Sequence, residues 1–550
     1  MPCLLCVPIV VNDPASALAE AEHARLAGAD LVEFRFDTML HGEDDIPEAV
    51  RIVQEVPLPC IATCRLASEG GAYDGPESLR RALYEALCAC QCPPRCLDIE
   101  YAAFAADPAW RAFADASFAA GDSSILLSTH DFRSRPADLS RRLLAMRDDA
   151  CRVIKVAFMA RSLRDNLELF DMLRDRDRAT IALAMGESGL MSRVLAPKFG
   201  GFLTFASLRP TSITAPGQPT LAELLGQYRF RSITPKTRVY GVIGWPVAHS
   251  LSPAVHNAGF EAAGINAVYL PMPVLADDAD AEGSYLSLKA TLLAFIEHPH
   301  LDFAGASITL PHKVNLVRLA REQGWAVDPA ADALGAANTL VVERPGGRVR
   351  VLNTDAPAIA DTLAHAVGPL DGCAVTILGA GGVGRAAAYA CASRGARVTI
   401  ANRELAKAHR LVDDIRTHVP GELQAVPLDA AQSVPAEIII NATSLGMTGG
   451  PDANASPIDL ASAPWVRGEL SRGNGHKDGQ KSGTVVFDTV YRPLLTPILH
   501  QARTLGLTTI DGAVMFVRQA VLQFQCWTGL EPSAELYRRI VLERLEQSHE

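Results

Sequence analysis

The sequence predicts an α/β protein in two catalytic parts, a (β/α)8 barrel followed by a two-domain unit that contains a Rossmann fold. Three observations predict this. Between residues 3 and 205, eight short strand-like runs alternate with helical patterns. Between 375 and 401, a buried strand runs through Gly379-Ala380-Gly381-Gly382-Val383-Gly384 into an alanine-rich helix and a second strand. Between these parts lies a joint, 209–257. There Thr214-Ala215-Pro216-Gly217-Gln218, a short apolar helix (Leu221, Leu224, Leu225) and a basic link at 229–238 lead into a new strand and the turn His249-Ser250-Leu251-Ser252-Pro253.

Composition sets the outer bounds. With 550 residues, 49% hydrophobic and 21% charged, the chain is too long for one core. A net charge of -11 argues against nucleic acid or an anionic membrane surface as a partner. No apolar run approaches a bilayer span, and residues 1–11 lack the basic start of a signal peptide, so a cytoplasmic enzyme is expected. Twelve cysteines are too few for a disulfide scaffold in this length. Cys3 and Cys6, three apart on a strand, point to opposite faces, and no histidine lies among Cys88, Cys90, Cys92 and Cys96. No metal site is expected. The sequence leaves the oligomeric state open.

In the first half the strand-like runs are 3–10, 31–34, 60–64, 96–99, 124–129, 153–156, 180–184 and 202–205. The first helix is well marked: Asp13 as N-cap, Pro14 in the first turn, Gly28 as stop. A barrel of this kind carries its active site at the C-terminal strand ends. Polar residues fall at those ends: Glu33 and Arg35, Arg65, Glu100, His130, Arg193 after strand seven, and Gln218 beyond strand eight. Lys155 is the decisive residue, the one charge in Val153-Ile154-Lys155-Val156-Ala157. Burial and a neighbouring cation such as Arg193 are expected to lower its pKa and free an amine that attacks a ketone.

These residues stand in stretches that resemble type I 3-dehydroquinate dehydratase over about the first 230 residues. The stretches are Glu33-Phe34-Arg35, Thr63-Cys64-Arg65 with Glu69-Gly70-Gly71, Asp98-Ile99-Glu100, and Ser128-Thr129-His130-Asp131-Phe132. The lysine strand, Met185-Gly186 to Ser192-Arg193, and Ala215 to Gln218 complete the set. The resemblance implies that Lys155 forms a Schiff base with the substrate ketone. His130 would move the proton, Glu100 would orient His130, and Arg193 would clamp the carboxylate. Glu33, Arg35, Arg65, Thr214 and Gln218 would hold the substrate, Thr214 standing where relatives often have serine.

In the second half, the glycine loop between two strands marks a dinucleotide site. Gly379, Gly381, Gly382 and Gly384 let the backbone approach a pyrophosphate. The second strand ends in Asn402-Arg403 instead of an acid, which suits a 2′-phosphate and favours NADP; Lys407 adds charge and Glu404 opposes it. Further stretches resemble shikimate dehydrogenase from Tyr240 to about Gly529. They include a strand from Ser307 that ends in Lys313, Gly335 to Thr339, Asn353-Thr354-Asp355, Asn441-Ala442-Thr443-Ser444, Asp488 to Tyr491, and Met515 to Gln519. That resemblance implies a substrate domain joined to the Rossmann domain. Lys313 and Asp355 would be its catalytic pair, and Ser250, Ser252, Thr309, Asn338, Tyr491 and Gln519 would bind substrate. Asn441, Thr443 and Ser444 would line the cofactor.

Val351, Ala356, Ala358 and Val514 replace glycines common in that family, and 466–483 reads as a polar, disordered insertion. The expected division is 1–231 for the barrel, 238–354 plus 511–550 for the substrate domain, and 355–510 for the cofactor domain. The combined reading is an enzyme that dehydrates 3-dehydroquinate to 3-dehydroshikimate and reduces that to shikimate with NADPH. Two alternatives stay open: an NAD-linked quinate/shikimate dehydrogenase in the second half, and a catalytically inactive quinate-pathway sensor.

Overall fold

The computed structural model describes residues 2–546, apart from 121–123, 150, 278, 345–346, 465 and 467–483. The stretch read as a disordered insertion therefore lies, from 467 onward, outside the described residues.

Eight parallel strands form the first sheet: β1 (Leu4–Val10), β2 (Leu31–Arg35), β3 (Cys60–Thr63), β4 (Cys96–Glu100), β5 (Ser124–Asp131), β6 (Val153–Met159), β7 (Ala179–Met185) and β8 (Leu203–Phe205). They pair in the order β7-β6-β5-β4-β3-β2-β1-β8. The seam between the end strands is bridged where Phe202 N donates to Thr180 O at 2.9 Å. This is the expected (β/α)8 barrel. The first helix spans Pro14–Leu26, Asp13 caps it by accepting from Ser16 N, and Gly28 follows at φ +97.

Alternation along each strand sorts the side chains. Leu31, Ile61, Cys96, Leu126, Val153, Ile181 and Leu203 fill the floor inside the barrel. Two residues further along, the same inward parity presents Glu33, Thr63, Asp98, Ser128 and Lys155. Ile154 and Val156, of opposite parity, pack outward into the main core. Cys6 joins the interior floor and Cys3 the outer core, on opposite faces as expected.

A second sheet is mixed: β9 (Arg238–Gly244), β10 (Ala267–Pro273), β11 (Phe303–Ile308), β12 (Ala326–Val327), β13 (Thr339–Glu343) and β14 (Arg348–Leu352), in the order β10-β9-β11-β13-β14-β12. β13 runs antiparallel to both of its neighbours. The third sheet is all parallel: β15 (Ala374–Leu378), β16 (Arg397–Asn402), β17 (Leu423–Pro427), β18 (Ile438–Asn441), β19 (Val485–Asp488) and β20 (Thr508–Ile510). Its order, β17-β16-β15-β18-β19-β20, is the doubly wound Rossmann arrangement.

Packing between barrel and second sheet goes beyond a linker. One hydrophobic cluster runs from the outer layer of the barrel into β9, β11 and β13. Lys198, with a fully buried side chain, donates to Pro235 O and Thr237 O, both at 2.9 Å, and pairs with Asp302 at 2.7 Å. Arg229 donates to Ala267 O at 2.7 Å. The barrel turn Glu187–Gly189 lies against the edge strand β10. The basic link at 229–238 is therefore pinned along its length.

Candidate active sites

In the barrel, Lys155 stands at the base of a polar cup. Its Nζ lies 3.0 Å from Glu33 Oε1 and 2.9 Å from Asp98 Oδ2, with the Phe205 ring 4.5 Å below. This corrects one expectation: carboxylates, not Arg193, are the charged groups in contact with the lysine. Arg65 closes the ring, donating to Asp98 at 2.7 Å and to Glu100 at 3.0 Å. Burial opposes charge on Asp98, yet Arg65 and Lys155 hold its carboxyl well below the usual range.

A second expectation is corrected at His130. Glu100 does not orient it. Glu100 receives Arg65 and Leu66 N, each at 3.0 Å, on one oxygen and Arg80 on the other. The partner of His130 is Glu69, whose Oε2 lies 3.0 Å from Nδ1 and 2.9 Å from the His130 backbone N–H. Local backbone explains the reach. Gly71 folds so tightly under Arg65 that a Cβ would fall 2.0 Å from Arg65 O, and this turns Glu69 into the cup. Burial, reinforced by Arg65 and Lys155, holds the imidazole well below its usual pKa, so it stands as a neutral base. Burial also raises the Glu69 carboxyl to about 7.

Arg193 is buried, its Nε has no hydrogen-bond partner among the described residues, and burial pulls its guanidinium down to about 10. Gln218 is buried too. Its Oε1 takes Thr214 N and Oγ1, at 3.0 and 3.1 Å, while its Nε2 has no partner among the described residues. A lone guanidinium and a free amide lining the Lys155 cavity suit an anionic, hydroxylated ligand. Arg35 lines the same cavity but is held by Asp37, with contacts of 2.7 and 2.9 Å.

In the second half, Lys313 Nζ and Asp355 Oδ2 are 2.7 Å apart. The expected lysine-ending strand is corrected here: β11 stops at Ile308, and Lys313 opens the helix Lys313–Gln323. Asn338, fully buried, donates to Asp355 Oδ1 at 2.8 Å, and its Oδ1 takes Thr354 N at 2.8 Å and Thr339 Oγ1 at 2.9 Å. It thus fixes Asp355. Ser250 and Ser252 lie at the start of the helix Ser252–Ala262, Ser252 N donating to Ser250 Oγ at 3.3 Å. Thr309, its N–H on Ile243 O at 2.9 Å, sits just past β11. Tyr491 packs on Phe516 at 5.2 Å. Gln519 is half-buried on the helix Gly512–Thr528, one turn before Gln523, which donates to Asn338 O at 3.1 Å.

The glycine loop suits a dinucleotide. A Cβ on Gly381 or Gly382 would meet nothing within 4 Å, leaving the N-terminus of the helix Gly382–Ala392 open to a ligand. A Cβ on Gly384 would fall 2.1 Å from Gly379 O, so that glycine serves helix packing. Asn402 Oδ1 accepts from Ala380 N at 3.2 Å, tying the loop to the end of β16, where Arg403 is exposed. Two expected cofactor ligands are engaged elsewhere. Lys407 pairs with Glu404 at 2.7 Å, and Asn441 spends its side chain on Asp488 and Thr443, with Ser444 exposed beyond.

Family models match this chain in four places. They are type I 3-dehydroquinase over 5–235, the shikimate dehydrogenase substrate binding domain over 242–340, shikimate/quinate 5-dehydrogenase over 361–447, and the shikimate 5′-dehydrogenase C-terminal domain over 512–542. An Arabidopsis thaliana protein named bifunctional 3-dehydroquinate dehydratase/shikimate dehydrogenase, chloroplastic, is 34% identical over 98% of this chain and 84% of its own. The chain belongs to this bifunctional family.

Other members and relatives cover one or both halves. A Methanosarcina mazei shikimate dehydrogenase (NADP(+)) is 35% identical over 56% of this chain and 99% of its own. The pentafunctional AROM polypeptide of Malassezia globosa is 30% identical over 93% of this chain, which spans 30% of that longer protein. The solved dehydroquinate dehydratase and shikimate dehydrogenase from S. pombe AroM covers 98% of both chains at 23% identity and a TM-score of 0.42. For this bifunctional dehydratase–dehydrogenase, sequence reasoning overlooked Glu69 and Asp98 as working groups. Asp98 was legible from parity, two residues before Glu100 on the same face. Glu69 lay inside a quoted stretch, but nothing in the spacing aims it at His130.

Proposed function

We propose that the two lysine–carboxylate centres divide two consecutive reactions of the shikimate pathway. The chain is a 3-dehydroquinate dehydratase and an NADP-dependent shikimate dehydrogenase. The carrying observation is Lys155, buried between Glu33 and Asp98 and facing a neutral His130. The Lys155 ammonium passes a proton to His130 as its amine adds to the substrate ketone, and that proton leaves with the carbinolamine hydroxyl as water, giving a protonated imine. Nitrogen is positive before and after this step, so Glu33 and Asp98 are compensated at both ends of it. His130 Nε2 takes the proton from the adjacent carbon, the electrons enter the iminium, and the same proton goes to the departing hydroxyl. Hydrolysis returns Lys155 and releases 3-dehydroshikimate. Arg193 holds the substrate carboxylate, and Thr214 and Gln218 hold ring hydroxyls.

In the dehydrogenase half, NADPH when bound supplies the hydride. Gly379, Gly381, Gly382 and Gly384 shape its pyrophosphate site and Arg403 faces the 2′-phosphate. Lys313 gives its proton to the ketone oxygen as negative charge develops, and Asp355, fixed by Asn338, holds Lys313 in place. Ser250 and Ser252, at a helix N-terminus, take the substrate carboxylate. The division into 1–231, 238–354 plus 511–550, and 355–510 is part of this proposal. So are a cytoplasmic location and the lack of nucleic-acid or membrane partners, in keeping with the net charge of -11. Among the described residues no helix is long and apolar enough to cross a membrane.

The test is to supply 3-dehydroquinate and follow product formation with NADPH or NADH present. Shikimate should form with NADPH oxidation, and 3-dehydroshikimate should accumulate without nucleotide. Borohydride added with 3-dehydroquinate should fix substrate mass on Lys155. An intact protein that gains no mass, or a Lys155→Ala variant that still gains it, would sink the imine reading.

A further inference from the structure

Arg80 belongs to the helix Glu77–Ala89, outside the barrel, yet its side chain is wholly buried. Its guanidinium is held through Nη1 and Nε. Nη1 donates to Cys64 O at 3.1 Å and to Glu100 Oε2, Nε donates to Glu77 Oε2 at 3.1 Å, and the Trp110 ring covers it at 5.1 Å, while Nη2, 2.9 Å from Glu77, makes no hydrogen bond among the described residues. From Glu100 the contacts run on to Arg65, to Asp98 and to Lys155. Among the enclosed groups, Arg80, Arg65 and Lys155 thus face Glu100, Asp98 and Glu33, three cations to three anions with no side chain above 6% exposed, while Glu77, the fourth carboxylate in contact, reaches solvent. Ions so enclosed are stable only when compensated.

We propose that Arg80 is a positioning residue of the dehydratase, which keeps this buried cluster neutral through Glu100 and so lets Lys155 release its proton. Without Arg80 the cluster carries one excess negative charge. Arg65 is then drawn towards Glu100 and away from Asp98, and Asp98 holds the Lys155 ammonium more tightly. The other charged groups around Lys155 cannot substitute. His130 is neutral and bonded to Glu69, Arg35 is held by Asp37, and Arg193 pairs with no carboxylate among the described residues.

The inference rests on Lys155 being the imine-forming residue, and the experiment separates the two. Full-length protein is mixed with 3-dehydroquinate and borohydride across pH, and the rate of mass gain is recorded. Dehydratase kcat and KM are measured in parallel, with reductase activity of the same chain as a folding control. In Arg80→Met the trapping midpoint should move up by about one pH unit, so that kcat near neutrality falls ~10-fold while KM changes little. In Glu100→Gln, with the opposite charge removed, the midpoint should move down. In the double variant it should return towards wild type. Loss of packing alone would move no midpoint, and neither would it make the double variant resemble wild type. Midpoints that stay put in the single variants, or shifts of the same sign in both, would overturn the proposal. If Arg80→Met does not fold, the sign of the Glu100→Gln shift decides. No trapping in the wild-type protein would instead remove the imine reading itself.

Discussion

The two lysines of this protein do different work in different surroundings. Lys155 sits on a strand inside a closed barrel, 6% exposed, between two carboxylates that belong to a balanced buried cluster. Lys313 sits at the first position of a helix, 16% exposed, paired with one carboxylate. On the proposed reaction Lys155 yields its proton to add to the ketone and regains positive charge as an iminium, so carboxylates on two sides suit the start and the end of the step. Lys313 would give its proton to the product outright, and one carboxylate with the partial positive charge at a helix N-terminus favours that release. Charge that returns within the step is surrounded; charge that leaves with the product is placed at an edge.

The largest break in this comparison should come at the buried lysine. Lys155→Met should lower dehydratase kcat by ~10³-fold or more and leave reductase kinetics unchanged, as separate assays on one preparation would record. Next, Lys313→Met should lower reductase kcat by about 10²- to 10³-fold with little change in KM and no effect on dehydration. A fall of similar size in both activities, in either variant, would mean that the sites are not independent.

A smaller and pH-dependent effect is expected at Glu69. Its carboxyl titrates at about 7. Above that pH the carboxylate accepts from His130 Nδ1–H and leaves Nε2 free as the base; as pH falls through about 7 this support is lost. Dehydratase kcat should therefore decline below about pH 7 while the reductase shows no such limb. Glu69→Gln should flatten the limb and cost about 10-fold at pH 8. The smallest effects concern the cofactor turn. Arg403→Ala should raise KM for NADPH by about ten- to a hundredfold and leave NADH nearly unchanged. Because Glu404 is engaged by Lys407, Glu404→Thr should shift preference towards NADPH by only about a few-fold.

Much of the architecture follows from local rules. Inward parity put Glu33, Glu100, His130 and Lys155 inside one barrel, and strand–glycine–helix–strand order located the dinucleotide unit. Contacts between those groups were less legible. Glu100, expected on His130, belongs to Arg65 and Arg80, and His130 is held by a loop glutamate 61 residues away. The link at 229–238 reads as a basic connector, yet Lys198 pins it from a helix whose sequence carries no sign of that partner.

The fold, the two lysines proposed as catalytic and the order of the two units were therefore legible in the sequence, because strand period, glycine turns and a charge in an apolar run are local signals. Tertiary structure decided which carboxylate meets which cation, that Lys155 is ringed by anions, and that a guanidinium from outside the barrel completes its charge balance. The reason is geometric. Parity fixes the face on which a side chain stands, but strand stagger and loop folding across the barrel fix its neighbours within 3 Å, and ion pairing depends on that last distance.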